Sequence, residues 1–164
     1  MDASFPRGLW PPKLSSLVLG GLKKPISEWG PQNFPTSLHF LQLYGGSNDY
    51  VTDFSQLSDL LPLSLNNLHI YKFEKLESVA YGLKHLTSLQ HLSIDECPKT
   101  MDLPESLLPS LLSLRIHRCP NLKEKSSKGG SYWPFISPIP RISISEKKFN
   151  MEIKVLLERY HSLI

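Results

Sequence analysis

Four residues in the middle of the chain could do chemistry. His91 and Cys97 stand in "LTSLQHLSIDECPKTM", and His117 and Cys119 stand in "LPSLLSLRIHRCPNLK". Together they read H-x5-C…H-x-C, which could ligate a metal, form a redox pair or pair a nucleophile with its base. Structural zinc takes ligands about two to four residues apart from tight knuckles, and this spacing does not supply them. No G-x-S-x-G elbow, G-x-x-x-x-G-K-[ST] loop or H-E-x-x-H helix accompanies the four. Gly20-Gly21, Gly45-Gly46 and Gly129-Gly130 read as turn glycines, and the acid pairs Glu74/Glu77 and Asp95/Glu96 are isolated. No catalytic, cofactor-binding or metal-ligating set emerges. The two segments read instead as one structural unit written twice.

The unit recurs along the chain. "LSSLVL" from Leu14, "LHFLQL" from Leu38, "LNNLHI" from Leu65, "LQHLSI" from Leu89, "LLSLRI" from Leu111 and a weaker "IPRISI" from Ile139 share the form L-x-x-L-x-L. Their starts lie 24, 27, 24, 22 and 28 residues apart, and a Pro or Thr tends to precede each. The last two apolar residues of a copy are two apart, so both point to one face of a strand. A dozen or more residues must then return the chain and lay the next strand alongside. One unit cannot bury its apolar face alone, whereas stacked units share a core. The expected fold is an α/β solenoid: a short parallel sheet on the concave side, with irregular, 3-10 or short helical returns on the convex side. About six coils occupy 1–145.

This register sorts residues by face. Leu17, Leu19, Leu41, Leu43, Leu68, Ile70, Leu92, Ile94, Leu114, Ile116, Ile142 and Ile144 point inward as the spine. Cys97 and Cys119 close their strands at an inward corner that suits a small, partly apolar group. A disulfide between them is conceivable in geometry, and a reducing compartment would not preserve it. The outward positions form three columns. The first holds Ser16, Phe40, Asn67, His91, Ser113 and Arg141; the second Val18, Gln42, His69, Ser93, Arg115 and Ser143; the third Gly20, Tyr44, Tyr71, Asp95, His117 and Ser145. Tyr44 and Tyr71 are expected to be lateral neighbours near Phe40, and Asp95 to face His117. Aromatic residues and Arg are the usual anchors of protein interfaces. Phe40, Gln42, Tyr44, Asn67, His69, Tyr71, His91, Asp95, Arg115, His117 and Arg141 are therefore the candidate partner-binding residues.

The returns differ. Phe54, Leu57, Leu60 and Leu61 fall at helical spacing before Pro62, which predicts a helix of two to three turns. A shorter turn is expected around Val79 and Leu83, and extended or 3-10 structure after Cys97. "SSKGGSYWPFISP" from Ser126 reads as an exposed loop whose Tyr132, Trp133 and Phe135 fold back on the core. In 146–164, Phe149, Ile153, Leu156, Leu157 and Tyr160 mark one face of an amphipathic helix, a tail or C-terminal cap.

Composition bounds the setting. A net charge of +3 over 164 residues, with both signs interleaved, gives no case for nucleic acid. No apolar run reaches the roughly 18 residues a membrane helix needs. The N-terminus lacks the pattern of a signal peptide, and no Asn-x-Ser/Thr sequon occurs. With two cysteines these features favour a reducing, cytoplasmic location.

"LPSLLSLRIHRCPNLKEK", "LTSLQHLSIDECPKTMDLPESLLPSL" and "FEKLESVAYGLKHLTSLQHL", with the I-x-x-C-P step, carry a resemblance. From Pro12 to about Ile144 the chain resembles the C-terminal leucine-rich repeats of plant intracellular immune receptors, the nucleotide-binding disease-resistance proteins of the coiled-coil class. The resemblance implies a leucine-rich-repeat horseshoe with no enzymatic activity and no cofactor. Its implied partners are proteins: a pathogen effector, a guarded host protein or the receptor's own nucleotide-binding domain. No P-loop is present, so nucleotide binding is carried over to no residue. The chain reads as the end of a receptor or a truncated product of a receptor gene. A fragment of an extracellular leucine-rich-repeat receptor is the alternative; it would be expected to carry sequons, paired cap cysteines and a signal peptide. A hydrolase with an unrecognised site is the third class.

Overall fold

The computed structural model describes residues 11–20, 34–46 and 50–146. The amphipathic segment expected over 146–164 lies, but for Glu146, outside the described residues. Six five-residue strands, β1 (Ser16–Gly20), β2 (Phe40–Tyr44), β3 (Asn67–Tyr71), β4 (His91–Asp95), β5 (Ser113–His117) and β6 (Arg141–Ser145), form one sheet. Every pairing is parallel, and the strands lie side by side in chain order. The arrangement is compatible with an α/β repeat fold.

The motif explains the register. Leu17, Leu41, Leu68, Leu92, Leu114 and Ile142 align across the sheet, as do Leu19, Leu43, Ile70, Ile94, Ile116 and Ile144. A one-residue slip would turn these side chains to the other face, and at about 1.5–3 kcal/mol per buried Leu or Ile that is prohibitive. In β2 to β5 the aligned residues are buried. Leu17, Ile142 and Ile144 are only partly buried, because among the described residues β1 and β6 are the outer strands of the sheet.

Polar ties repeat with the same period. At the entrances of β2 to β5 one carbonyl accepts two successive N–H groups from the next repeat: Ser15 from His39 and Phe40, His39 from Asn66 and Asn67, Asn66 from Gln90 and His91, Gln90 from Leu112 and Ser113. The Ser37 and Ser64 hydroxyls each donate to the first motif leucine of the preceding copy, Leu14 and Leu38, at 2.7 Å. At the strand exits Lys72, Glu96 and Arg118 adopt left-handed backbone at φ 54–56°. These three hold the same place in successive repeats, and their N–H groups donate to the carbonyls of Asp95, His117 and Ser145. The left-handed step aims the next residue, Phe73, Cys97 or Cys119, into the core, where all three are fully buried.

The returns are tighter than their apolar spacing predicts. The stretch 54–61 holds one 3-10 turn, Ser55–Leu57, and not a helix of two to three turns. Phe54, Leu57 and Leu61 are buried, and Asp53 accepts from the N–H and hydroxyl of Ser55 at the start of the turn. With an aromatic residue, two Ser and an Asp in the segment, propensity for a long helix is weak. The short turn around Val79 and Leu83 is present as α1 (Ala80–Leu83). Asp102 of the following return caps it, accepting from the Val79 and Ala80 N–H groups at 2.7 and 3.0 Å. The return after Cys97 is 3-10 over Glu105–Ser110, as its prolines predict.

Helix α2 (Pro120–Ser126) was not expected. Pro120 sits at its first turn, where a missing N–H costs nothing, and Leu122 and Ser126 face inward. The following segment is not an open loop either: it forms α3 (Trp133–Ile136). Tyr132 does fold back, its hydroxyl accepting from the Leu103 N–H at 3.1 Å. Phe135 points outward and Ile136 takes the core position.

Candidate functional site

The Cys and His residues that could have formed one site are on opposite sides of the sheet. Cys97 and Cys119 are free thiols inside the core. Their sulfurs donate to backbone carbonyls, Cys97 to Asp95 at 3.3 Å and Cys119 to Ile94 and His117 at 3.4 and 3.3 Å. The hydrogen bond to Cys119, and then burial, push the Cys97 thiol far above its ordinary range, so it is no ready nucleophile. His91 and His117 belong to the outward side, on β4 and β5. Among the described residues no group of three or more His, Cys, Asp and Glu is arranged to hold a metal ion.

The outward columns align as the motif predicts, from Ser16 against Phe40 through to His117 against Ser145. Two clusters form on them. The first is aromatic. Tyr44 and Tyr71 have ring centroids 5.4 Å apart, and His69 lies 5.9 Å from Tyr71. Gly20 makes room for this group: a Cβ there would stand 2.9 Å from the Tyr44 Cβ. Lys72 Nζ lies 5.7 Å from the Tyr71 ring centroid.

The second cluster surrounds Asp95. This residue is not the open carboxylate its column position implies, but is 4% exposed. His69 Nε2 lies 2.6 Å from Oδ2, which also accepts from the Ser93 hydroxyl at 2.8 Å. Arg115 Nε donates to Oδ1 at 3.1 Å, and His117 Nδ1 is 3.4 Å from the same atom. Burial alone would raise the carboxyl, but the His69 and Ser93 hydrogen bonds and the Arg115 charge outweigh it and hold Asp95 below the usual carboxylate range. The expected Asp95–His117 contact is therefore the longest of four. The shorter contact with His69 is diagonal, joining the middle of β3 to the end of β4, and reading columns row by row misses it. Reach to diagonal neighbours is the signal that could have found it.

The first column is continuous with a groove. Phe40, Asn67, His69, His91, Ser93, Ser113 and Arg115 line a hollow of about 230 Å³. Ser113, Arg115, Pro140, Arg141 and Ser143 line a second of about 360 Å³. In the first hollow His91 Nδ1 and the Ser113 hydroxyl are 2.8 Å apart. Ser93, Ser113, Pro140 and Ser143 were not among the expected site residues; outward register was the available sign for the three serines, and Pro140, just before β6, carried none. Gln42, though outward, lines neither hollow.

No family model matches the chain, and no solved structure matches it. The chain is similar to a plant protein. It is 28% identical over 146 residues to a protein of Arabidopsis thaliana named as a disease resistance protein. The match takes in 87% of this chain and spans 10% of that protein's length. Among the described residues no helix is long and apolar enough to cross a membrane.

Proposed function

We propose that the chain is a non-enzymatic protein-recognition module of a plant intracellular immune receptor. In this reading residues 1–145 form a leucine-rich-repeat horseshoe, 146–164 are a helical tail or C-terminal cap, and the outward columns line the concave face. The module works in the cytoplasm in plant defence, meeting a pathogen effector, a guarded host protein or the receptor's own nucleotide-binding domain. The observation that carries the reading is the likeness of most of the chain to a disease resistance protein. The half-exposed aromatic and basic side chains of the outward columns supply the means.

The test is proximity labelling in leaf tissue with the chain as bait, wild type against a variant with Tyr44, His69, Tyr71 and Arg115 all changed to Ala. The expected result is a set of neighbours captured by wild type and lost from a variant of unchanged circular dichroism. Equal recovery from both baits would show that this face does not meet the partner.

A further inference from the structure

The outward face is chemically divided along the groove. At the β2 end stands the apolar ring of Phe40. At the β5–β6 end stand Arg115 and Arg141, both exposed, with the hydroxyls of Ser113 and Ser143 between and beside them. Ser113 and Arg115 line both hollows, so the two adjoin across the strands and together outline a groove.

The outward residues of β4, β5 and β6 include one acid, Asp95. It is buried and already surrounded by His69, Ser93, Arg115 and His117, so much of its charge is balanced before an incoming anion arrives. Its bond to Arg115 runs through Nε and leaves the side chain 51% exposed. A guanidinium fixed at Nε presents its terminal amino groups for a second, bidentate acceptor.

We propose that this groove binds an extended acidic segment of a protein partner, seating an apolar side chain against Phe40 and a carboxylate between Arg115 and Arg141. The proposal rests on the recognition role given above and adds the chemistry of the segment recognised. Spacing follows from the sheet. Phe40 and Arg115 are three strands apart and Phe40 and Arg141 four. At about 4.8 Å per strand that is roughly 14–19 Å, which an extended peptide at about 3.3 Å per residue covers in about four to six residues. Free phosphate would use the two arginines and leave the apolar end idle.

The test uses fluorescein-labelled Gly-Ser peptides carrying one Leu and one Glu-Glu pair, placed two to eight residues apart, with affinity read by fluorescence anisotropy. The expected result is tightest binding at a separation of four to six and at least a tenfold loss when Gln replaces Glu. Arg115→Gln and Arg141→Gln should each weaken the acidic peptide about tenfold and leave the Gln peptide unchanged, and Arg115→Lys should restore only part. Arg141 is exposed and outside the Asp95 cluster, so its variant reads the groove even if Arg115→Gln perturbs folding. Equal affinity for Glu and Gln peptides, binding at no separation, or binding only when phosphoserine replaces Glu overturns the proposal. If peptide discrimination fails while capture in tissue still needs the face, the recognition role stands and the acidic chemistry falls. If discrimination holds while capture fails, the groove's chemistry stands and the immune partner falls.

Discussion

Asp95→Asn keeps the shape of the side chain and removes its charge. Both carboxylate oxygens now accept from donors: His69 and Ser93 at one, Arg115 at the other. An amide must turn its NH2 toward one of these sets, leaving donors opposed in a site that is 4% exposed. Hydrogen bonds to a charged group contribute about 1.5–3 kcal/mol each. The Arg115 and His69 side chains are 51% and 30% exposed, which discounts their share heavily. A net loss of about 1–3 kcal/mol at pH 7 is expected. The pH dependence has a definite sign. The folded carboxyl lies below its unfolded value, so its contribution is present above the ordinary carboxylate pKa of about 4 and is lost as pH falls through the lower folded value. Urea denaturation followed by circular dichroism should show a gap between wild type and variant that is full at pH 7 and narrows below about pH 4. A gap that stays constant from pH 7 to pH 3, or a variant as stable as wild type, would refute the assignment of Asp95 as the charged centre of this cluster.

Two further outcomes are expected. Gly82→Ala places a Cβ 2.0 Å from the Phe54 carbonyl oxygen; the helix-propensity gain of about 1 kcal/mol does not offset that overlap with backbone, and a net loss of about 1–3 kcal/mol should appear as a lower denaturation midpoint. Leu92→Ala and Leu114→Ala each remove a side chain that is 1% exposed on an interior strand of the sheet, and each should cost about 2–5 kcal/mol, read from the same urea transitions.

The strand positions and columns were legible because the period-2 signal has one solution once six copies are aligned: turning Leu92 inward forces Ser93 outward. The returns were less legible because their apolar residues answer to the curve of the core more than to a helical period. Phe54, Leu57 and Leu61 are all buried, yet one 3-10 turn suffices to place them. Pro120 carried an ambiguous signal, being equally suited to ending β5 and to opening α2, and only the packing of Leu122 decides between them. In the candidate site the column members were readable and their pairing was not. The proximity of His69 to Asp95 depends on side-chain reach across a diagonal, which spacing alone does not encode.

The left-handed exits have a bearing on how the chain avoids threading itself wrongly. Lys72, Glu96 and Arg118 occupy one repeat position in the order plus, minus, plus, and Arg118 pairs with Glu96 at 3.0 Å. Near-identical strands invite a folding chain to skip one and dock onto the next. Omitting β4 would set Arg118 beside Lys72, like charge against like, and would break the ion pair. The alternation penalises that skipped docking and so favours assembly of the strands in chain order.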